Sequence, residues 1–390
     1  MPRTILVGNV VLPDRVLEAG AVVIEGERIA GVLPSAGIQA DGESEVLDYR
    51  PHLIAPGLIN LHLHGAMGHD VMDGSPAGLA EIAAHEARCG VTGFVPTTLA
   101  APWSAIRRAV EAVKAAMAAG QGAEILGVYL EAPFLNLKKK GAQNPEFIRP
   151  IEAEDIRRLT EAVESLPAVI TVAPEVGGNL SFIPALKERG WVVSIGHSEA
   201  AYEPAVQSFE RGITHATHLY NAMSGFLPRE PGVIGAVLDS DGVTAELIAD
   251  GIHVHPAALR LAVRQKGSGR ICLVTDSMNA AGLGEGDFRV GGLDVVVKEG
   301  QARLKEGGAL AGSVLTLNRA VRNMVRWAGV PLSAAVCMAS LTPARVLSLD
   351  REIGSLEKGK LANLAVFDRQ FNVADTIVRG RSILKDRAGV

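Results

Sequence analysis

The chain has 390 residues, of which 48% are hydrophobic, 4% aromatic and 21% charged. One compact core rarely grows to this length, although an α/β barrel with insertions takes up most of it, so we expect one large domain and a smaller companion. The formal net charge of −5 comes from interspersed acids and bases, which excludes a basic nucleic-acid-binding stripe and a disordered acidic tail.

Both ends of the chain contain short strand-like runs separated by turns. Residues 4–33 show no helical periodicity and contain Pro-Asp and Glu-Gly turn sequences. A similar pattern returns in residues 361–384. We predict that residues 1–54 and 349–390 fold together into one small β-sandwich domain built from both chain termini.

Between the ends, apolar strand-like runs alternate with Ala-, Glu- and Arg-rich helical runs, with helices predicted over 77–89, 103–119 and 152–165. This alternation is typical of βα units with a parallel sheet. Eight strands are predicted, the number that closes a barrel: 58–63, 93–96, 125–130, 168–172, 192–195, 213–217, 244–248 and 271–274. The predicted fold class is therefore α/β, with a (β/α)8 TIM-like barrel over residues 55–348.

The three cysteines, Cys89, Cys272 and Cys337, lie far apart among apolar residues. Their odd number and separation indicate buried thiols in a reducing compartment and argue against a zinc–thiolate site. No stretch has the uninterrupted apolar length of a membrane span, and the N-terminus lacks the apolar core of a signal peptide. We therefore expect a cytoplasmic protein with no membrane and no nucleic-acid partner.

Ionisable residues stand at the ends of the predicted barrel strands. In an α/β barrel the carboxyl ends of the strands face one site, so residues that are far apart in sequence meet there. The residues concerned are His62, His64, Glu131, His197, His218 and Asp276. Because the first two histidines are two positions apart on a strand, both side chains point to the same face.

Each of these residues taken alone has an ordinary structural explanation, such as a hydrogen-bonded histidine pair, a helix cap or a salt bridge. Their conjunction favours a divalent-cation site, because an unpaired buried charge is costly and a cation neutralises Glu131 while accepting neutral imidazoles. Asp276 fits another part, since a carboxylate opposite a cation-held water accepts its proton and passes it to a leaving amine. His215 lies three positions before His218, on the opposite face of the strand, so we predict a structural or supporting role for it.

An ordered series of motifs runs along the same region. It comprises PGLINLHLHG at 56–65, LEAPF at 130–134, GHS at 196–198, THLYNAM at 217–223, ADGIH at 249–253, VTD at 274–276 and LAGS at 310–313. By this series the chain resembles, over nearly its whole length, the N-acetylglucosamine-6-phosphate deacetylase family of the amidohydrolase superfamily. The resemblance implies a hydrolase that releases acetate from N-acetylglucosamine 6-phosphate, a phosphorylated amino sugar.

The resemblance also implies roles for individual residues. The implied ligands of the principal divalent cation are Glu131, His197 and His218, with His62 and His64 available for a second ion. The implied cofactor is Zn²⁺, with Fe²⁺, Mn²⁺ or Co²⁺ as alternatives, in one or two ions per subunit, and Asp276 is the implied general acid and base. The implied substrate contacts are Ala142, through its backbone, Gln143, Asn221, Ala222, Arg229, His253, Leu310, Ala311, Gly312 and Ser313. One phosphate contact of the family comes from the neighbouring subunit, which implies a homodimer.

The chain departs from the family pattern in two places. Tyr129 and Ala132 replace a histidine and a glycine beside the glutamate, and Gln143 replaces a histidine that is placed to contact the acetyl carbonyl in the family. A glutamine amide donates a hydrogen bond but carries no positive charge. The expected consequence is a lower rate, or a different preferred acyl group or sugar.

Other functions stay open on the sequence alone. One is a deacetylase of N-acetylgalactosamine 6-phosphate or of another N-acyl amino sugar, and another is a non-catalytic barrel that binds sugar phosphate. The cation ligands and Asp276 argue against the non-catalytic barrel. A third is the opening of a cyclic amide, which fold similarity alone allows and which Arg229 and His253 argue against. The lysine run 138–140 is expected to be a hydrated loop, with attraction of an anionic substrate as the alternative.

Overall fold

The structure is a computed structural model that describes residues 3–37, 44–120 and 122–384. Within these residues, eight parallel strands follow one another around a barrel in the predicted chain order. They are Leu58–Leu63, Val91–Thr98, Val128–Leu130, Ala168–Val172, Val192–Ile195, Ile213–Ala216, Thr244–Ile248 and Ile271–Val274. The last strand meets the first through a hydrogen bond from Asp276 N to His62 O, at 2.9 Å, and a parallel bridge between Leu63 and Ser277. The predicted (β/α)8 barrel is confirmed.

The barrel strands are short, apolar and rich in β-branched residues, as expected of a parallel sheet that is buried on both faces. Every residue of Val91–Thr98 is buried. One predicted strand is divided into Glu124–Ile125 and Val128–Leu130. Between these pieces lies Gly127, where an added Cβ would meet the carbonyl oxygen of Pro167 at 2.3 Å, so this close approach requires a glycine.

Helices follow the barrel strands and cover the outside of the sheet. They are Pro76–Arg88, Trp103–Ala119, Ala153–Val163, Asn179–Lys187, Tyr202–Arg211, Gly232–Asp239 and Pro256–Lys266, with Leu317–Asn323, Leu332–Met338 and Leu341–Val346 after the last strand. The segment Met324–Ala328 is a π-helical turn. Short 3-10 turns are formed by Ser35–Gly37, Val71–Asp73, Leu137–Lys139, Pro145–Phe147 and Ser268–Arg270. In the described part of the chain, no helix combines the length and the apolar character that crossing a membrane requires.

Two of the predicted helices show how local chemistry sets helix ends. Trp103–Ala119 matches its prediction and ends at Gly120, whose φ of 60° is left-handed and favours glycine. The helix predicted over 152–165 is shorter, because Glu152 is its N-cap and Glu164 leaves helical geometry.

The two ends of the chain form one seven-stranded sheet, as predicted. In sheet order its strands are Arg381–Ser382, Val373–Val378, Leu364–Phe367, Ser44–Pro56, Arg3–Val11, Val16–Glu25 and Arg28–Pro34. The N- and C-terminal parts join where Leu364–Phe367 pairs antiparallel with Ser44–Pro56. This sheet has an apolar core of its own, which includes Leu6, Ile24 and Ile54. The domain limits of 1–54, 55–348 and 349–390 stay a prediction.

A three-stranded antiparallel sheet, not predicted from the sequence, follows the last barrel strand. It consists of Gly286–Val290, Leu293–Lys298 and Gln301–Leu304. A further short pair joins Gly65–Ala66 to His69–Asp70. The strands of the three-stranded sheet are short and partly exposed, so their apolar signal in the sequence is weak. Its buried valines pack on Leu99 and Met278, which follow barrel strands, and the sheet therefore lies beside the mouth of the barrel.

Candidate active site

Three predicted cation ligands meet at the carboxyl end of the barrel. Oε1 of Glu131 lies 3.1 Å from Nε2 of His197 and 3.0 Å from Nε2 of His218. The two imidazole Nε2 atoms lie 3.0 Å from each other. All three side chains are buried, and they come from the ends of three different strands. Their ligand atoms therefore surround one point, as the sequence predicted.

A second group of potential ligands lies beside the first. Nε2 of His62 and Nε2 of His64 are 3.3 Å apart, and they lie 3.5 Å and 3.3 Å from Oδ1 of Asp276. Glu131 stands between the groups, because its other carboxylate oxygen, Oε2, lies 3.2 Å from Nε2 of His64. The geometry thus offers two adjacent ligand groups that share one carboxylate.

The four imidazoles are oriented by hydrogen bonds on their outer side. Each Nδ1 faces an oxygen that only accepts: Lys139 O at 2.7 Å from His197, Asn221 O at 3.2 Å from His218, Thr97 O at 3.1 Å from His64, and Glu246 Oε2 at 2.9 Å from His62. Each Nδ1 must therefore carry the hydrogen, which leaves each Nε2 lone pair directed at the two ligand groups. This donor set of four imidazoles and two carboxylates fits Zn²⁺ and other first-row divalent cations.

The electrostatics of the cluster also fit a cation. Burial alone would raise the pKa of the Glu131 carboxyl, but positive charge on the imidazoles of His62, His197 and His218, when they are protonated, holds this pKa well below its usual range, and a cation bound to the neutral rings would supply positive charge in the same place. Burial would likewise raise the pKa of the Asp276 carboxyl, and the neighbouring histidines lower it instead. The site therefore keeps two ionised carboxylates out of water, where positive charge stabilises them.

The backbone is strained where these side chains turn inward. The φ angles are 46° at His197, 30° at His218 and 48° at Asp276, and Ala222 beside them has 51°. A left-handed φ costs a non-glycine residue on the order of 1 kcal/mol, and such residues concentrate at functional sites. Gly141 approaches from above with a φ of 57°, and a Cβ there would come within 3.3 Å of the His197 ring. The strain supports a functional reading of this strand-end cluster.

Glu246 is a buried carboxylate that the sequence analysis missed. It lies inside the barrel strand Thr244–Ile248 and is 0% exposed. Burial alone would raise the pKa of its carboxyl, but the neighbouring imidazoles of His62 and His215, each within hydrogen-bond distance of it, hold this pKa well below its usual range. The sequence did carry a signal, because one acidic residue in an otherwise apolar strand needs buried partners.

A cavity of about 290 Å³ opens above the two ligand groups. Seven of the predicted substrate residues line it: Ala142, Gln143, Asn221, Ala222, His253, Leu310 and Gly312. The imidazole of His253 donates from Nδ1 to Asp250 Oδ2 at 2.6 Å, which fixes the orientation of the ring. The three-stranded sheet contributes Val290 to the same wall. The cavity is therefore bounded by the barrel mouth on one side and by the unpredicted insertion on the other.

Three predicted substrate residues do not line this cavity. Ala311 is fully buried in the core of the three-stranded sheet, and Ser313 N donates to Asp276 O at 2.7 Å, so both pack behind the acid. Arg229 is exposed on a loop and does not line this cavity. The substrate contacts expected of Arg229, Ala311 and Ser313 therefore stay a prediction, and within the loop it is Leu310 and the left-handed Gly312 that line the cavity.

Gln143 does not present a free amide to the cavity. Its Nε2 donates to Oε2 of Glu131 at 2.6 Å, and its Oε1 accepts from the backbone N of Ala100 at 2.7 Å. The side chain is only 3% exposed. Both ends of the amide are thus engaged by the protein, and its most direct effect is to hold Glu131 in place.

The other departure from the family pattern is absorbed by the core below the site. The hydroxyl of Tyr129 lies 2.8 Å from Thr217 Oγ1 and accepts from Thr171 Oγ1 at 3.2 Å. The Tyr129 ring packs on the His62 ring, with centroids 4.8 Å apart. Ala132 is buried beside Leu135. These substitutions therefore leave the ligand geometry intact.

Two lysines of the run 138–140 reach the cavity. Lys138 and Lys139 are among the lining residues, and Nζ of Lys139 lies 3.0 Å from a carboxylate oxygen of Glu199. The carbonyl of Lys139 is also the acceptor that orients His197. The expectation of a merely hydrated loop is therefore incomplete, since this loop supplies part of the cavity wall.

Comparison with known proteins identifies the family. Residues 53–383, most of the chain, match the Amidohydrolase family. The chain belongs to the amidohydrolase family. This amidohydrolase is 40% identical over 346 residues to the N-acetylglucosamine-6-phosphate deacetylase of Vibrio furnissii, covering 88% of this chain and 86% of the relative. It is also 40% identical over 330 residues to the N-acetylgalactosamine-6-phosphate deacetylase of Escherichia coli O157:H7, covering 84% and 87%.

The amidohydrolase is also similar to solved structures along its whole length. One is a mutant N-acetyl-D-glucosamine-6-phosphate deacetylase from Mycobacterium smegmatis in complex with N-acetyl-D-glucosamine-6-phosphate. It has a TM-score of 0.92 and 31% identity, covering 98% of this chain and 100% of that chain. The predicted resemblance of the amidohydrolase to the N-acetylglucosamine-6-phosphate deacetylases is confirmed.

Proposed function

We propose that this amidohydrolase hydrolyses the acetamide of N-acetylglucosamine 6-phosphate to glucosamine 6-phosphate and acetate. The observation that carries the proposal is the pair of buried ligand groups, joined by Glu131, on the floor of a cavity with Asp276 beside them. The named function of its 40% identical relative from Vibrio furnissii supports the same chemistry. A cavity of about 290 Å³ suits a ligand the size of a sugar phosphate.

We propose Glu131, His197 and His218 as ligands of the principal cation, with His62 and His64 available for a second. Zn²⁺ is the ion that we propose first, because the donors are imidazole nitrogens and carboxylate oxygens, with Fe²⁺, Mn²⁺ and Co²⁺ as alternatives. A bound divalent cation supplies Lewis acidity, which polarises a carbonyl oxygen and lowers the pKa of a nearby water to about 7.

Asp276 is the proposed general acid and base. Its pKa is held below the usual range, so the carboxylate is ionised and able to take a proton from the attacking water at Oδ1. The same oxygen then returns that proton to the departing amine nitrogen as the C–N bond of the acetamide breaks. The balance is one water and one amide giving one acetate and one protonated amine, since both protons of the water end on the amine nitrogen.

The cavity wall would hold the sugar and its phosphate. Asn221, Ala222 and His253 lie together on this wall, and the ring of His253 is fixed by Asp250. Lys138 adds a cation at the rim, which suits an anionic substrate. These groups support a phosphorylated amino sugar over an unphosphorylated one.

We also propose a homodimer in which Arg229 reaches the phosphate bound by the other subunit. This arginine lies outside its own cavity, on a loop that also exposes Phe226 by 63% and Leu227 by 56%. Two large apolar side chains exposed next to a cation are typical of a surface that is covered by a partner. The cytoplasm is the proposed location, in keeping with the free, buried thiols of Cys89 and Cys272.

The test is acetate release by enzyme of measured metal content, with the N-acetylglucosamine and N-acetylgalactosamine 6-phosphates and their unphosphorylated forms. The proposal expects the glucosamine epimer to have the higher kcat/KM and the unphosphorylated sugars to react poorly. Faster turnover of the galactosamine epimer would favour the function named for the Escherichia coli O157:H7 relative. Binding of the phosphorylated sugars by metal-replete protein without acetate release would support a non-catalytic barrel instead.

A further inference from the structure

We propose that Glu246 is a positioning residue that couples the two ligand groups, by holding one histidine of each from below. The inference rests on the proposed function in taking these groups to be cation sites. Glu246 approaches neither cation position directly and takes no part in the proton transfers of Asp276.

The carboxylate of Glu246 is shared between the groups. Its Oε2 accepts from Nδ1 of His62 and from the backbone N of His218, each at 2.9 Å. Its Oε1 accepts from Nε2 of His215 at 3.2 Å. His62 belongs to one ligand group and His218 to the other, so a single buried carboxylate touches both.

The contact with His62 fixes the state of that imidazole. An ionised carboxylate only accepts hydrogen bonds, so Nδ1 of His62 must carry the hydrogen and Nε2 must present its lone pair to the cation position. A neutral imidazole without this partner is a mixture of two tautomers, one of which has a hydrogen on Nε2, where the cation would bind.

The contact with His218 fixes a strained turn. His218 has a φ of 30°, and its backbone N is held by the Glu246 carboxylate while the next backbone N, of Leu219, donates to Glu246 O at 2.9 Å. A non-glycine residue keeps such a φ only when its surroundings over-determine it. The side chain and the backbone of Glu246 supply that constraint, and the imidazole of His218 points at Glu131 as a result.

His215 completes the arrangement from the strand Ile213–Ala216, whose end comes before His218. Its Nε2 bonds Glu246, and its Nδ1 lies 2.6 Å from Thr244 Oγ1. The carboxylate therefore has a partner on each oxygen and cannot rotate without losing one of them. Both ring nitrogens of His215 have partners, which accounts for the supporting role that the sequence predicted for this histidine.

The decisive variant is Glu246→Gln, which keeps the size of the side chain. Its amide has one acceptor oxygen and one NH₂ group, so it keeps all three contacts only if His215 moves its hydrogen to Nδ1, and it lacks the negative charge that holds the hydrogen of His62 on Nδ1. Both Zn²⁺ affinities are expected to fall by about 10-fold to 100-fold, as found when an outer partner of a ligand is lost. Glu246→Asp keeps the charge but moves it back by one methylene group, and its Zn²⁺ affinities are expected to lie between those of the wild type and Glu246→Gln.

The experiment uses full-length protein, stripped with chelator and titrated with Zn²⁺ alone, with stoichiometry from elemental analysis and affinities from competition with a chelating dye. Circular dichroism establishes that each variant is folded. The visible spectrum of the Co²⁺-loaded protein reports ligand geometry, which a role in stability alone would not change. His62→Asn is the matched control, because it removes one ligand and is expected to weaken one site only.

The inference is overturned if folded Glu246→Gln binds both Zn²⁺ ions with wild-type affinity, or loses only one as His62→Asn does. If Glu246→Gln does not fold, His215→Asn decides, since it removes a donor to Oε1 outside both groups and is expected to weaken both sites by a smaller factor. Unchanged affinities in His215→Asn would then refute the coupling. Wild-type protein that binds no divalent cation and releases no acetate would instead refute the proposed function itself.

Discussion

Gln143 and Glu131 are joined by a hydrogen bond of 2.6 Å between Nε2 of the amide and Oε2 of the carboxylate. The same carboxylate connects the two ligand groups, so the amide holds the residue on which both depend. The opposite end of the amide is anchored on the backbone N of Ala100. In this chain the Gln143 side chain therefore supports Glu131, whereas the family resemblance implied a contact with the acetyl group at this position.

Removing that hydrogen bond is expected to lower activity through Glu131. Gln143→Met keeps the length of the side chain but loses the donor, and a hydrogen bond to a charged group is worth about 1.5 to 3 kcal/mol. We expect kcat/KM for acetate release to fall by about tenfold or more. In Gln143→Glu, kcat/KM should fall further, because this substitution places a second carboxylate against that of Glu131. Wild-type kcat/KM in Gln143→Met would contradict this role.

Asp276→Asn is expected to remove the proton carrier while keeping the shape of the side chain. General acid and base catalysis contributes typically 10²-fold to 10⁴-fold, so kcat should fall by about that factor. Steady-state acetate release and equilibrium binding of the substrate measure the two effects. Met278→Leu, at a neighbouring position on the cavity wall, is the control and should retain most of the activity. An Asp276→Asn variant with a tenth or more of the wild-type kcat would exclude the assigned role.

Chelation is expected to lower both activity and stability. An ion that binds only the folded chain stabilises it by about 2.7 kcal/mol at a hundredfold excess over Kd, and the buried carboxylates lose this stabilisation when it is removed. We expect chelator to abolish acetate release and lower the melting temperature, and Zn²⁺ to restore both. Glu131→Gln should show little response of the melting temperature to Zn²⁺. An equal response in this variant would speak against the proposed ligand set.

Arg229 and Asp276 are expected to complement each other between subunits. If Arg229 acts on the partner's cavity, Arg229→Ala and Asp276→Asn are each impaired, but a mixed dimer contains one site with both residues intact. Random reassociation of equal amounts should then recover activity at about a quarter of the sites. Acetate release after mixing under conditions that exchange subunits measures this. No recovery, despite mixed dimers seen by mass spectrometry, would mean that Arg229 does not act in trans.

Glu86 is expected to make stability depend on pH. Burial raises the pKa of its carboxyl from 4.5 to about 7, against a hydrogen bond from Asn60 Nδ2 at 2.9 Å. The folded chain therefore binds this proton more tightly than the unfolded chain does. The resulting stabilisation is full below pH 4.5 and is lost as pH rises through about 7.

Glu86→Gln removes this dependence. The free energy of unfolding of the variant, minus that of the wild type, should rise by about 3 kcal/mol between mildly acid and mildly alkaline pH. Urea unfolding at both pH values measures it, and any pH effect on the cation sites cancels in the difference. Glu81→Gln, exposed on the same helix, is the matched control and should show no such rise. A pH-independent difference for Glu86→Gln would show that this carboxyl does not titrate as described.

The sequence by itself determined the order of the barrel strands, the union of the two chain ends in one sheet, and the positions of the potential ligands at strand ends. These features follow from local patterns: apolar runs of strand length, helix-ending glycines, and single ionisable residues directly after a strand. The proximity of His62, Glu131 and His218 could be predicted from the sequence because parallel strands in a barrel end at one face.

Only the tertiary structure decided what each polar atom touches. Glu246 lies on a strand far along the chain from His62, and nothing local shows that its carboxylate faces that imidazole. The sequence suggested that the amide of Gln143 is available to the substrate. In the structure the backbone of Ala100 and the carboxylate of Glu131 engage its two ends. The three-stranded sheet was likewise hidden, because its short, half-exposed strands gain their apolar contacts from Leu99 and Met278. A hydrogen bond depends on distance and direction in space, and the order of residues along a chain determines neither until the chain has folded.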